Sequence, residues 1–299
     1  MQSRSKIGVL GGDRRQLALC SQFAKEGFEC ALWGLDTECD TENTNIVKCA
    51  HWKCALSEAD AVILPLPLTI DGVRLNCTNT QSKKDIYIPR ITEIIQSTDR
   101  NTLLFGGKIP SSVKRFAAEH NIMLTDYYES EEFQIKNAVP TAEGAVAIAI
   151  SALEITLADA KCAVIGYGRI GRTLALRLIA LGSDTTCIAR SKKDLAWASC
   201  DSASTLSLNE YSPDVHKFDV IFNTVPHMIF DSARLASISK NTVIIDLASE
   251  GRGVDIVEAE KLGIKTIKAL SLPGKSSPIT AGKIIFESVL DTLREEGKL

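Results

Sequence analysis

Short apolar runs separated by amphipathic stretches recur along the whole chain, and their order predicts a parallel α/β protein. In the first half, Lys6–Leu10, Cys30–Trp33, Ala61–Leu64 and Leu103–Phe105 are brief, largely apolar runs, each followed by Gly or Pro, and they read as buried strands. Gln16–Lys25 has helical spacing, and Gly27 ends it. The second half repeats the plan, with strands at Cys162–Ile165, Asp184–Arg190, Val220–Asn223, Val243–Leu247 and Thr266–Ala269. Arg172–Leu181 places Leu174, Leu178 and Leu181 on one helical face. Between the halves, the Ala- and Ile-rich stretch Asn137–Ala158 predicts a helix of about twenty residues, roughly 30 Å long, with Thr141 and Glu143 near its start. Ala281–Glu296 is the last helix.

One stretch carries chemistry as well as structure. The strand Cys162–Ile165 runs straight into Gly166-Tyr167-Gly168-Arg169-Ile170-Gly171, a G-x-G-x-x-G pattern, and a helix and second strand follow within about thirty residues, the length of a βαβ unit. Gly166 makes the tight turn, Gly168 lets the backbone approach a pyrophosphate, and Gly171 lets the helix pack close to the strand. The helix N-terminus presents free N–H groups and partial positive charge to phosphates. These features predict a fold of two Rossmann-like doubly wound α/β domains with a cleft between them and a long linking helix. Residues 1–137 form a flavodoxin/Rossmann-like substrate domain, 138–280 the dinucleotide-binding domain, and 281–299 a helix packing back on the first domain.

The second strand ends in Ile188-Ala189-Arg190-Ser191-Lys192-Lys193, where NAD-specific folds carry an acid for the ribose 2′-hydroxyl. Arg190 can grip a 2′-phosphate with its planar fork, Ser191 can donate a hydrogen bond, and Lys192 adds charge. The expected cofactor is therefore NADP. Leu247 and the loop Thr224-Val225-Pro226, at the ends of later strands, face it.

The first domain holds a degenerate copy of the same turn, Gly11-Gly12-Asp13-Arg14-Arg15, suited to substrate rather than a second nucleotide. Loops at Gly11–Arg15, Pro65–Leu68 and Gly106–Lys108 follow strands, so all three point toward one crevice.

Composition narrows the partners. A net charge of −3 gives no basic surface for nucleic acid, and no apolar run approaches the roughly twenty residues of a membrane span. Met1–Lys6 leads directly into a strand, so no signal peptide is expected and the chain is placed in the cytoplasm. Nine cysteines without a C-x-x-C pattern read as reduced thiols. Cys39, Cys49, Cys54 and Cys77, with His51, are too irregularly spaced for a zinc site, and no metal is expected.

Four segments together resemble the A subunit of dipicolinate synthase from spore-forming bacteria. They are Gly11-Gly12-Asp13-Arg14-Arg15-Gln16-Leu17, Pro140-Thr141-Ala142-Glu143-Gly144-Ala145, the Gly166–Gly171 motif, and Leu272-Pro273-Gly274-Lys275 with Pro278, Thr280, Ala281 and Gly282. The resemblance runs along essentially the whole chain. It implies an NADP-linked step yielding pyridine-2,6-dicarboxylate in the sporulating mother cell, from a dihydro- or hydroxytetrahydro-dipicolinate drawn from the lysine pathway. It also implies a partner of flavoprotein-like character, the B subunit, while the chain itself is expected to be a homo-oligomer.

Such a reaction needs orientation and charge recognition more than acid–base power. Two ring carboxylates call for cations, and Lys108, Lys275 and Arg14 or Arg15 lie on the loops expected to face the cleft. Glu143 and His227 are the candidates for proton transfer, although Glu143 also suits a helix first turn and Thr141 a cap. D-2-hydroxyacid dehydrogenases share the layout, but they use a histidine late in the cofactor domain, and none follows His227. They also carry an Arg where Ser249 or Glu250 stands. Another NAD(P)-dependent dehydrogenase of an amino or dicarboxylic acid, or a non-catalytic NADP-binding scaffold, is the alternative.

Overall fold

A computed structural model describes residues 5–35, 45–77, 87–248 and 252–298, so Cys39, Ser249 and Glu250 lie outside the described residues. The chain divides into two compact units, Met1–Lys136 with Ser277–Leu299, and Asn137–Ser276. The observed boundary falls at Ser277, a few residues before the expected 281.

In unit 1, β1 (Lys6–Leu10), β2 (Glu29–Trp33), β3 (Ile46–Lys48), β4 (Ala61–Ile63), β5 (Leu103–Gly106) and β6 (Leu124–Asp126) form one sheet in the order β3-β2-β1-β4-β5-β6. All its pairings are parallel. Alternation along each strand feeds a core on either face: Ile7 and Val9 join one cluster with Cys30 and Leu32, while Leu10 joins the other with Ala31 and Trp33. Helix α1 (Arg14–Lys25) covers the first face, and α2 (Trp52–Leu56), α3 (Ile91–Gln96) and α4 (Ser111–Glu119) accompany the second. α1 starts two residues before the expected Gln16 because Asp13 and Gln16 form a capping box.

Helix α5 (Glu131–Ala152) differs from the expected Asn137–Ala158 at both ends. Its first turns are charged and look like loop in sequence, yet Phe133 is 2% exposed in the unit 1 core. Lys136 adds ion pairs to Glu132 at 2.7 Å and Glu287 at 2.8 Å. Pro140 is carried inside the helix. At the other end, Lys265 Nζ donates to the Ala152 carbonyl at 2.8 Å and satisfies a terminal acceptor.

Unit 2 repeats the architecture with β7 (Lys161–Ile165), β8 (Asp184–Ala189), β9 (Ser204–Ser207), β10 (Val220–Asn223), β11 (Val243–Asp246) and β12 (Thr266–Lys268), ordered β12-β11-β10-β7-β8-β9. Renumbered within each unit, both sheets read 3-2-1-4-5-6, the doubly wound order whose ligand site lies at the strand-order reversal. Helices α6 (Arg169–Ala180), α7 (Lys192–Cys200), α8 (Ser232–Ala236), α9 (Ile256–Leu262) and α10 (Leu272–Ser276) complete it.

The final helix, α11 (Pro278–Glu295), returns to unit 1 and lies on α1. Phe286 meets Phe23 edge-on at 4.7 Å. A Cβ on Gly282 would overlap the Arg15 carbonyl oxygen and lie 2.7 Å from the Ala18 Cβ. Gly282→Val is therefore expected to wedge the two helices apart and cost about 1–3 kcal/mol, read as a lower urea midpoint; an unchanged midpoint would refute the close approach.

Candidate functional site

The reversal in unit 2 lies between β7 and β10, where the glycine turn sits. Gly166 has φ +90°, conformational territory that suits glycine, and its N–H donates to the Ile188 carbonyl at 2.9 Å. A side chain there would meet Thr224 Oγ1 at 2.6 Å and Val225 Cγ2 at 2.9 Å. A Cβ on Gly171 would overlap the Gly166 carbonyl, so α6 rests directly on the turn. Gly168 is different: it is the N-cap of α6 without a side-chain cap, and a Cβ there would meet nothing within 4 Å. The cap of a 12-residue helix thus carries no side chain and has open space beside it. That combination fits a dinucleotide pyrophosphate, bound by backbone donors and the helix dipole.

The flanking residues hold this turn in place. Thr224 sends both its N–H (3.0 Å) and its hydroxyl (2.8 Å) to the Ile165 carbonyl. Tyr167 is expected at the cofactor, but its ring is 6% exposed and packs in the unit 2 core, which raises the phenol pKa chiefly through burial. Its hydroxyl donates to Asp201 at 2.8 Å, and Arg172 Nε donates to the same carboxylate oxygen at 2.6 Å. Arg172, and then Tyr167, hold the Asp201 carboxyl below its ordinary pKa. Arg172 also lies over the Trp197 ring at 4.6 Å. Ile170 is half-buried against the same core, and Arg169 is exposed at the start of α6.

Two residues at this edge were not anticipated. Asn223 and Asp246, both 0% exposed, end the apolar strands β10 and β11. Asn223 Nδ2 donates to Asp246 Oδ1 at 2.9 Å and to the Val225 carbonyl at 3.2 Å. The Leu247 N–H donates to the Asn223 carbonyl at 2.8 Å, and the Ala248 N–H to Asp246 Oδ1 at 3.2 Å. The pair fixes the loops carrying Thr224-Val225-Pro226 and Leu247. Its one sequence signal was a polar residue closing each of two apolar strands.

Arg190, Ser191 and Lys192 are exposed together where β8 gives way to α7, and Ser191 caps that helix by accepting from the Asp194 N–H at 3.4 Å. Pro226 and His227 are exposed just beyond β10.

Three expectations change. Glu143 is in the middle of α5, not in its first turn, and accepts from Arg177 at 3.2 Å. Thr141 is no cap, since its hydroxyl donates to the Asn137 carbonyl at 2.8 Å. Leu272-Pro273-Gly274-Lys275 is helical (α10) rather than a loop, and Lys275 lines a groove with Ile148, Ile267 and Leu272. A Cβ on Gly144 would lie 3.1 Å from Leu272 Cβ and 2.9 Å from Ser276 Oγ, so the Pro140–Ala145 segment packs against α10.

In unit 1 the three expected loops do meet. Arg15 is 5% exposed, pairs with Asp13 (Nε to Oδ1 2.9 Å, Nη2 to Oδ2 2.8 Å) and donates to the Leu66 carbonyl. The Gly107 N–H donates to the Pro65 carbonyl at 3.1 Å, and the Leu68 N–H to the Gly107 carbonyl at 2.8 Å. Arg15 is thus committed to holding the loops, which leaves Arg14, exposed on α1, as the candidate cation there. Lys108 has φ +54°, held by Asp126 accepting from its N–H (3.1 Å) and that of Ile109 (2.8 Å). Its ammonium lies 4.9 Å from the Tyr128 ring centroid.

An open glycine turn at the reversal of a doubly wound sheet fits a dinucleotide-binding domain, and with the matches to known proteins it makes the chain a nicotinamide-dependent oxidoreductase of the dehydrogenase type. Residues 133–262 match the D-isomer specific 2-hydroxyacid dehydrogenase NAD binding domain, and residues 6–128 match the N-terminal domain of the dipicolinate synthase A subunit. The A subunit of dipicolinate synthase from Bacillus subtilis (strain 168) is 32% identical over 298 residues, covering 98% of each chain. The chain belongs to this family, the A subunits of dipicolinate synthase. Two crystal structures of family members superpose with TM-scores of 0.84 (B. subtilis, 30% identity, 99% of this chain and 97% of that one) and 0.87 (Bacillus halodurans, 27% identity, 98% and 99%). An L-alanine dehydrogenase structure, 13% identical, shares the fold with a TM-score of 0.66 over 98% of this chain and 90% of that one. Among the described residues, no helix is long and apolar enough to cross a membrane.

The two glycines should separate by substitution. Gly168→Ala is expected to keep thermal stability within about 0.5 kcal/mol while weakening dinucleotide affinity about tenfold or more, because the methyl occupies the approach path. Gly171→Ala should lose both. Melting curves with nicotinamide-fluorescence titrations test this, and equal stability losses would refute the division of roles.

Proposed function

We propose that this chain uses NADP⁺ to oxidise a dihydro-dipicolinate, or a hydroxytetrahydro-dipicolinate with loss of water, to pyridine-2,6-dicarboxylate, working with a second subunit in the cytoplasm of a sporulating cell. The observation that carries the choice of NADP over NAD is the basic end of β8. Arg190, Ser191 and Lys192 are exposed there with no carboxylate among them, and such a set favours a 2′-phosphate and lacks the usual acid for a free 2′-hydroxyl.

When bound, NADP⁺ supplies the hydride acceptor. The chain's own residues bind and orient. Gly168 and the N-terminal N–H groups of α6 hold the pyrophosphate, while Thr224, Val225, Pro226 and Leu247 form the wall that Asn223 and Asp246 fix. Ring carboxylates are recognised by Arg14 and Lys108, both on unit 1. Lys108 is suited to the task because Asp126 sets its backbone and Tyr128 steadies its ammonium. His227, exposed beside Pro226, takes the ring proton. Glu143, the other candidate, accepts from Arg177 at 3.2 Å.

Losing a charge-assisted contact to the 2′-phosphate costs about 1.5–3 kcal/mol. Arg190→Ala is therefore expected to weaken NADP binding about 10- to 100-fold and leave NAD affinity unchanged, measured by parallel titrations. Equal losses for both cofactors would overturn the assignment. Lys108→Ala is expected to raise the substrate KM about tenfold with NADP affinity intact, and an unchanged KM would remove Lys108 from substrate recognition.

A further inference from the structure

Outside the dinucleotide site, the chemistry most closely assembled in unit 1 is a pair of thiols. Cys49 directly follows β3, and Cys54 sits in α2. Their sulfurs are 2.9 Å apart, within about 1 Å of an S–S bond. Cys54 is exposed and Cys49 half-buried, whereas Cys20, Cys30, Cys77, Cys162 and Cys187 are buried. Cys200, on α7, is also exposed. Among the described residues no set of three His, Cys, Asp or Glu side chains gathers as a metal site, so the pair is a two-sulfur device.

We propose that Cys49 and Cys54 form a reversible dithiol–disulfide site, oxidised by exchange with a low-molecular-weight disulfide, that fastens the edge strand β3 to α2.

The order of events follows from access. The exposed Cys54 thiolate attacks one sulfur of the small disulfide, forming a mixed disulfide and releasing one thiolate. The Cys49 thiolate then attacks Cys54 Sγ, the protein disulfide forms, and the second small thiolate leaves. Two electrons pass from the protein pair to the small disulfide, and the two protons end on the released thiols. Burial first, and then the neighbouring Cys54 thiol, push the Cys49 thiol up to about 12. That leaves the exposed Cys54 as the first nucleophile, and Cys49, 2.9 Å away, as the thiol placed to resolve the mixed disulfide.

The position gives the bond leverage. α2 is five residues long, with His51 as its N-cap accepting from the Lys53 N–H at 3.2 Å. Trp52, Ala55 and Leu56 insert into the core that holds Leu10 and Trp33. A Cβ on Gly8 of β1 would overlap the Ala55 carbonyl, so α2 rests directly on the strand that leads into the Gly11-Gly12 turn. The Cys49 N–H donates to the Leu32 carbonyl at 2.8 Å, tying the other end to β2. A disulfide between the two would fix β3, α2 and β1 as one block.

The test uses the full chain equilibrated in glutathione buffers from reducing to oxidising, quenched by alkylation and mapped by mass spectrometry. The expected product is a Cys49–Cys54 cross-link, lighter by two hydrogens, unlabelled and reversed by dithiothreitol. Cys49→Ser should instead trap glutathione on Cys54. If the unsubstituted chain retains glutathione on Cys54 to the same extent as that variant, Cys49 does not resolve it and the proposal fails. It fails equally if both thiols stay fully alkylated in a buffer that already places glutathione on Cys200.

Discussion

The contact on which the dinucleotide site depends is one of backbone on backbone: the start of α6 lies against the Gly166 carbonyl, with Gly171 allowing the approach. This closeness brings the first N–H groups of the helix to the mouth of β7. A side chain at Gly171 would lift the helix and carry those donors away. Thr224 closes the other side by bonding the Ile165 carbonyl twice, and the buried Asn223–Asp246 pair ties the next two loops to it. Tyr167, staked by Asp201 and Arg172, prevents the turn itself from drifting.

Unit 1 has the same strand order but treats its corresponding helix N-terminus differently. Asp13 caps α1 through the Arg15 N–H, Gln16 bonds back to Asp13, and Arg15 neutralises the Asp13 carboxylate. The positive end of that helix is already occupied by a carboxylate of the chain itself. In unit 2 the N-cap is Gly168, with no side chain to fill the position. Two sheets of one topology are thus specialised by what stands at one position, a carboxylate in one and nothing in the other. This physical difference supports giving the nucleotide to unit 2 and substrate recognition to unit 1.

Much of this was legible because buried parallel strands read as apolar runs and glycine marks the turns after them. β1, β10 and the Gly166–Gly171 motif stand where the pattern put them. β3 and β9 were missed because they are edge strands of three and four residues with mostly exposed or half-buried positions, set by ladder pairing rather than by hydrophobicity. The early start of α5 was hidden by Glu131 and Glu132, since only tertiary burial of Phe133 reveals that turn as helix. Lys275 was placed on a loop because Pro273-Gly274 signals a turn, yet packing against Gly144 makes the segment helical. Arg15 could not be told from Arg14 by sequence, and burial separates them. Asn223 and Asp246 were overlooked because a buried polar residue at a strand end announces nothing until its partner, on a separate strand, is known.

Hydride transfer to NADP⁺ on this chain, as proposed, can be observed directly. The direct measurement is stopped-flow absorbance at the nicotinamide band, with purified protein, NADP⁺ and enzymatically generated dihydrodipicolinate, and no second subunit present. The expected result is a burst of NADPH matched by pyridine dicarboxylate. NADP⁺ that binds while neither product forms would contradict it and place the hydride chemistry elsewhere.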